Sequence, residues 1–151
     1  MERSILSSDR RLQMKFYLGV ESKDGYKNLG CNSSEINKAI LDAEAMEIYS
    51  DKFLSRFNFF EVPKVLELLI RKIRRGGTLT ICDTDFDLIA RTIFRQEASL
   101  EAINRHIFSD GIIAKSMLNF EFIKDLLPDN FQIINTHFQQ DTFLLCARRI
   151  K

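Results

Sequence analysis

Three aspartates, Asp83, Asp85 and Asp87, alternate with Thr84 and Phe86 directly after an apolar run. Clustered carboxylates are what a hard cation such as calcium or magnesium requires. An EF-hand loop starting at Asp83 needs glycine at its sixth place and an acid at its twelfth, and the chain has Leu88 and Phe94 there. An isolated Asp-x-Asp is too short to specify a metal site. No metal is therefore expected, and Thr84 or Asp85 is read as the N-cap of a following helix. The two histidines, His106 and His137, lie far apart, and no Gly-x-Ser-x-Gly elbow accompanies them, so a hydrolase triad has no support. His137 is expected at a strand edge or in a loop, whereas His106 is a candidate for facing a cleft. Cys31, Cys82 and Cys146 form an odd set with no C-x-x-C pair, which reads as reduced structural thiols and not as a zinc site.

The remaining candidate is the stretch Phe16-Tyr17-Leu18-Gly19-Val20-Glu21-Ser22. In an open α/β sheet a nucleotide-like ligand lies outside the carboxyl ends of the strands, where a glycine turn lets backbone approach it closely.

These residues need elements to position them, and hydrophobic periodicity supplies the outline. Leu12 to Leu18 reads as a strand running into Gly19, Tyr26 to Leu29 as a second short strand, and Ala45 to Ser50 as a half-buried strand. Val62 to Arg75 carries apolar residues at Val62, Val65, Leu66, Leu69, Ile70 and Ile73, one stripe of an amphipathic helix. Asn58 and Glu61 have capping-box spacing, and Pro63 also allows a start at Glu61 or Val62. The basic group Arg71, Lys72, Arg74 and Arg75 reads as a solvated last turn, with Gly76 as the left-handed stop. Thr78 to Cys82 is the next strand, followed by a helix through Phe94. Asn119 to Leu127 is a further helix stopped by Pro128. Phe131 to Thr136 and Thr142 to Ala147 form a closing antiparallel hairpin around Gln139-Gln140-Asp141.

The chain has 151 residues, enough to bury one real core, and a net charge of +1, which gives no global field to attract nucleic acid, a membrane or an acidic substrate. Residues 1–11 read as a polar tail and 12–151 as a single domain. The polar start, with Arg3, Arg10 and Arg11, has no apolar signal core, and no apolar run approaches the ~20 residues of a membrane span. A soluble protein of the cytoplasm is expected.

Between Ala45 and Phe57 the chain resembles the fourth strand and following turn of small class I S-adenosylmethionine-dependent methyltransferases, which often read Asp-Glu-Ile-Tyr-Ala-Ser-His-Val-Leu-Glu-His-Phe. Phe60-Glu61-Val62-Pro63-Lys64-Val65-Leu66 and Ile73-Arg74-Arg75-Gly76-Gly77-Thr78-Leu79 are similar to that family's next helix and its Leu-Lys-Pro-Gly-Gly-Thr-Leu entry to the fifth strand. Asp85-Phe86-Asp87-Leu88-Ile89 resembles its Pro-Asp-Phe-Asp, and Lys115-Ser116-Met117 through Leu127 its late helix. The resemblance covers most of residues 13–150 and is strongest over 43–91.

It implies a Rossmann-like α/β fold: an open twisted sheet of order 3-2-1-4-5-7-6, mostly parallel with an antiparallel last strand, and helices on both faces. About 15 residues between Leu29 and the fourth strand leave the third strand vestigial or absent. S-adenosylmethionine is the implied cofactor. Its binding positions would be Leu18, Gly19, Val20 and Glu21 at the first turn, Gly30 at the second strand end, and Ser50, Asp51 and Lys52 at the fourth. Asp51 and His106 are the candidate catalytic groups toward an unidentified methyl acceptor. Where relatives read Leu-Asn-Leu-Gly-Cys-Gly, only the first glycine is kept here, and Glu21 brings a carboxylate. Gly30 stands where an acid holds the ribose hydroxyls, removing a charge-assisted hydrogen-bond pair. Arg56 replaces the histidine of Leu-Glu-His. The alternative expectation is a non-catalytic binding or assembly module, such as a homodimer, whose surface would draw on the 13 phenylalanines.

Overall fold

The computed structural model describes residues 14–108 and 114–151. The polar tail expected at 1–11, and the first residues of the strand expected from Leu12, lie outside them. Elements run β1 (Lys15–Leu18), β2 (Lys27–Gly30), α1 (Ser34–Ala39), β3 (Ala45–Asp51), a 3-10 turn (Leu54–Arg56), α2 (Val62–Lys72), β4 (Ile73–Thr84), α3 (Phe86–Phe94), α4 (Leu100–Ile107), α5 (Phe120–Leu126), β5 (Phe131–Gln139) and β6 (Thr142–Arg149).

The six strands form one sheet of order β2-β1-β3-β4-β6-β5. β1 is parallel to β2 and β3, β3 is parallel to β4, and β6 is antiparallel to β4 and β5. This is the expected order with its third strand left out: between Gly30 and Ala45 the chain forms only α1.

Alternation along the strands decides which face is buried. Phe16 and Leu18 of β1, Ile48 of β3, Leu79 and Ile81 of β4, and Phe143, Leu145 and Ala147 of β6 share one core with Ile36 of α1, Leu66 and Leu69 of α2, and Ile123 of α5. The intervening positions line up across the other face as Tyr17, Tyr49, Thr80 and Cys146. The rings of Tyr17 and Tyr49 stack at 5.8 Å there, with the Lys23 ammonium 4.7 Å from the Tyr49 ring.

The junction of α2 and β4 differs from the sequence reading. α2 starts at Val62 with Pro63 in its first turn, as the proline allows, but it stops at Lys72 instead of Arg75. Ile73 turns extended to pair with Ala45. Lys72 is buried rather than solvated, its Nζ 2.7 Å from Asp42 Oδ1. β4 therefore includes Arg74, Arg75 and Gly76, and the positive φ of Gly76 (81°) falls inside the strand instead of capping a helix. Gly77 is required for packing: a Cβ there would sit 2.9 Å from the carbonyl oxygens of both Ala45 and Met46. The connection from β1 to β2 is short, as the strands expected to end at Leu18 and to begin at Tyr26 imply. Residues 19–26 link two parallel neighbours with no helix, shorter than the ~10–12 residues a helical crossover takes.

Candidate functional site

β2 lies on one side of β1 and β3 on the other, so the strand order reverses between β1 and β3. The crevice outside the carboxyl ends of such a pair is where ligands bind in open α/β sheets. Leu18 pairs with both Ser50 and Gly30, which gathers Leu18, Gly19, Val20, Glu21, Gly30, Ser50, Asp51 and Lys52 along one edge.

Gly19 is the fixed point of that edge. Its N–H donates to the Gly30 carbonyl at 3.1 Å. A Cβ on it would come within 2.9 Å of the Tyr17 hydroxyl and 3.0 Å of the Asp51 carbonyl, so only glycine fits without displacement. The Tyr17 hydroxyl in turn donates to Asp51 Oδ2 at 2.5 Å. Burial first, and then this bond to Asp51, push the Tyr17 phenol far above its ordinary range; it stays protonated and holds the bond at all working pH values. Asp51 is thus a brace between β1 and β3 before it is anything else. Gly30 has φ +69° and a Cβ there would meet nothing within 4 Å, so the space beside it is open. Val20 and Glu21 are exposed on the turn. Lys52 takes a left-handed φ of 49°, unusual for a side chain this long, and its N–H donates to the Cys82 carbonyl at 2.8 Å.

The acidic run does capping work. Asp85 is buried, and its Oδ1 accepts from the N–H groups of Asp87 (2.8 Å) and Leu88 (3.2 Å) at the start of α3. Oδ2 of the same side chain accepts from the Phe120 N–H at 3.2 Å. Asp83 is fully buried; its two oxygens accept from the backbone of Ser55 at 3.1 Å and Thr84 at 2.8 Å. Loss of water raises its carboxyl to about 6, against the lowering effect of these bonds and of the nearby Lys52 ammonium. Ser55 also accepts, through its carbonyl, the N–H groups of Lys115 (2.7 Å) and Ser116 (3.1 Å). Cys82 beside them is pushed up to about 11 by burial and then by the Asp51 charge, so it is a protonated thiol and not a nucleophile.

His106 lies on α4. Its Nε2 faces Oδ2 of Asp141, in the turn between β5 and β6. That turn is fixed at the carboxyl end of β4, since the Asp85 N–H donates to the Asp141 carbonyl at 2.7 Å. His106 and Ile107 line a cavity of about 340 Å³ between α3, α4 and the turn. The same two residues also line a water-sized space, about 10 Å³, with Lys52, Ser55 and Thr84 on its other side. The fold therefore brings His106 to the same edge as Lys52. His137 is exposed on β5 and joins neither space. Asp141 had no distinguishing signal in the sequence; only the antiparallel docking of the hairpin on β4 brings it to His106. The buried Ser50 hydroxyl was likewise invisible as an unpaired group.

Solved structures that share this fold include three methyltransferases. An S-adenosylmethionine-dependent methyltransferase from Thermotoga maritima, described as a possible histamine N-methyltransferase, superposes with a TM-score of 0.59 at 12% identity over 98% of this chain and 94% of its own. An O-methyltransferase family protein from Burkholderia thailandensis gives 0.57 at 14% identity over 82% of this chain. Magnesium protoporphyrin IX methyltransferase from Synechocystis, with bound S-adenosylhomocysteine, gives 0.53 at 14% identity over 82% of this chain. The fold is that of the class I S-adenosylmethionine-dependent methyltransferases. Against the last two, this methyltransferase-fold chain spans only 36% and 51% of the other protein's length. No family model matches its sequence, and no curated protein matches it.

The cofactor implied by the fold suits the β1–β3 edge. Among the described residues the buried Ser50 Oγ has no hydrogen-bond partner, a defect of about 1–3 kcal/mol that a ligand's polar atom would relieve. Gly30, with open space beside it, and the exposed residues Val20 and Glu21 lie at the same edge. The ribose position is the weaker part, because Gly30 offers no carboxylate.

Proposed function

We propose that the chain is an S-adenosylmethionine-dependent methyltransferase acting on an acceptor of its own. The observation that carries this reading is the reversal of strand order at β1 and β3, with Gly19 and Asp51 meeting across it. Leu18 to Glu21 and Gly30 would hold the cofactor along one side and Ser50 to Lys52 along the other, with the Glu21 carboxylate available to the ligand's ammonium. The cofactor, when bound, supplies an electrophilic methyl carbon. What the chain contributes is position. Tyr17 and Asp51 keep the two strand tips at a fixed separation, and a fixed geometry is the main source of rate in an in-line transfer. The free cysteines suit a reducing compartment, and among the described residues no helix is long and apolar enough to cross a membrane; both support a place in the cytoplasm.

A second reading rests on Gly30 and on the missing helix between β1 and β2, which together remove the ribose acid and a helix N-terminus from the cofactor edge. In that reading the chain keeps the sheet as a non-catalytic assembly module, such as a homodimer. Isothermal titration with S-adenosylmethionine and S-adenosylhomocysteine at millimolar ligand separates the two. Heat supports methyl transfer, and Gly19→Phe, which drives a ring into Tyr17 and the Asp51 carbonyl, abolishes it. No heat, together with a self-associated particle in sedimentation, supports the module instead.

A further inference from the structure

We propose that the cavity between α3, α4 and the β5–β6 turn binds a small organic amine, which, resting on the methyl-transfer reading, is the methyl acceptor. Its volume of about 340 Å³ lies at the lower end of small-molecule sites. Ile89, Ala102 and Ile103 supply apolar wall, and Glu97, His106 and Asp141 the polar groups. No lysine or arginine is among the described residues lining it; its charged groups are the carboxylates of Glu97 and Asp141, the latter facing His106. Glu97 is only loosely neutralised, by Arg95 at 4.0 Å with both side chains well exposed. An ammonium group is attracted into such a space and a carboxylate repelled from it.

The His106–Asp141 pair supplies the other requirement of an amine acceptor, a place for its proton. Nε2 of His106 faces Asp141 Oδ2, which leaves Nδ1 as the ring's proton acceptor. The ammonium N–H bond breaks, a bond from that proton to Nδ1 forms, and the electron pair stays on the amine nitrogen as the nucleophile's lone pair. Asp141 stabilises the resulting imidazolium. His106 and Ile107 line both this cavity and the water-sized space bordered by Lys52, next to the tip of β3, with Ser55 and Thr84.

The test uses the full chain and three probes of one shape: 2-phenylethylamine, 2-phenylethanol and 3-phenylpropionate, titrated by calorimetry and by the NMR signals of the His106 ring. The amine should bind and shift those signals, the alcohol should bind about tenfold more weakly, and the carboxylate should not bind. Glu97→Gln and Asp141→Asn should each weaken the amine about tenfold while leaving the alcohol unchanged. Asp141→Asn retains the backbone carbonyl that anchors the turn, so it tests the charge without dismantling the fold. Ala102→Phe, on an exposed stretch of α4, should fill the cavity and remove all binding. An amine that binds no tighter than the alcohol, or that still binds to Ala102→Phe, overturns the proposal. S-adenosylhomocysteine is titrated separately: heat from it without amine binding sinks the amine site alone, and amine binding without that heat sinks the methyl-transfer reading alone.

Discussion

Replacing Asp83 by asparagine should remove most of a pH slope from the stability of the domain. Asp83 is fully buried, and desolvation raises its carboxyl from 3.8 to about 6. A group whose folded value is raised favours the folded state when protonated. Its contribution is fully present below the unfolded value, near pH 4, and is lost as pH rises through the folded value, near 6. A gap of this size corresponds to about 3 kcal/mol in all, of which about 1.4 kcal/mol is lost between pH 5 and 7.5. Asp42 does not confuse the measurement, because its carboxyl is lowered by the hydrogen bond to Lys72 and titrates below that window. Urea unfolding of the wild type and of Asp83→Asn at pH 5, 6, 7 and 7.5 reads the difference directly, and histidine titration common to both proteins cancels. The wild type should lose about 1.4 kcal/mol more than the variant across this range. Equal slopes would refute the reasoning, since they would mean that the carboxyl is as well solvated folded as unfolded.

Three further outcomes follow from other contacts. Gly30→Asp restores an acid beside open space, at a φ that aspartate tolerates. S-adenosylhomocysteine should then bind about threefold to tenfold tighter, and unchanged affinity in calorimetry would place the ribose elsewhere. Asp85→Ala strips the cap from α3 and the acceptor from Phe120 N–H, a loss of about 2 kcal/mol expected in thermal or urea melts. Asp42→Ala should lower Tm more than Lys72→Met, because it leaves the buried ammonium of Lys72 unpaired whereas methionine removes the charge; the reverse ranking would show that Lys72 reaches water.

The sheet was legible because its signals are local. Phe143, Leu145 and Ala147 alternate in the sequence as they do in the core, and Asp85 caps α3 where the spacing of the acidic run put a cap. The end of α2 was not legible. Apolar period and basic charge both continue past Lys72, and the helix is ended by non-local events: the pairing of Ile73 with Ala45 and the capture of Lys72 by Asp42. The short link from β1 to β2 was countable between Leu18 and Lys27, but its meaning depended on knowing that the two strands are parallel neighbours. Of the candidate site, Gly19 announced itself as a glycine after a strand. The environment of Asp51 did not, because its partner Tyr17 looks in sequence like one more strand residue.

Asp85 ties together three stretches that are remote along the chain. Its carboxylate holds the first turn of α3 and the Phe120 N–H, and its own N–H holds the Asp141 carbonyl, while the next residue, Phe86, donates to the Leu118 carbonyl at 2.7 Å. Of these closures, the one to Asp141 requires the hairpin of β5 and β6 to be docked on β4. This end of the sheet thus depends on a contact of long sequence separation, from residue 85 to residue 141. A truncation of that hairpin removes the acceptor of the Asp85 N–H and the partner of His106 in a single stroke.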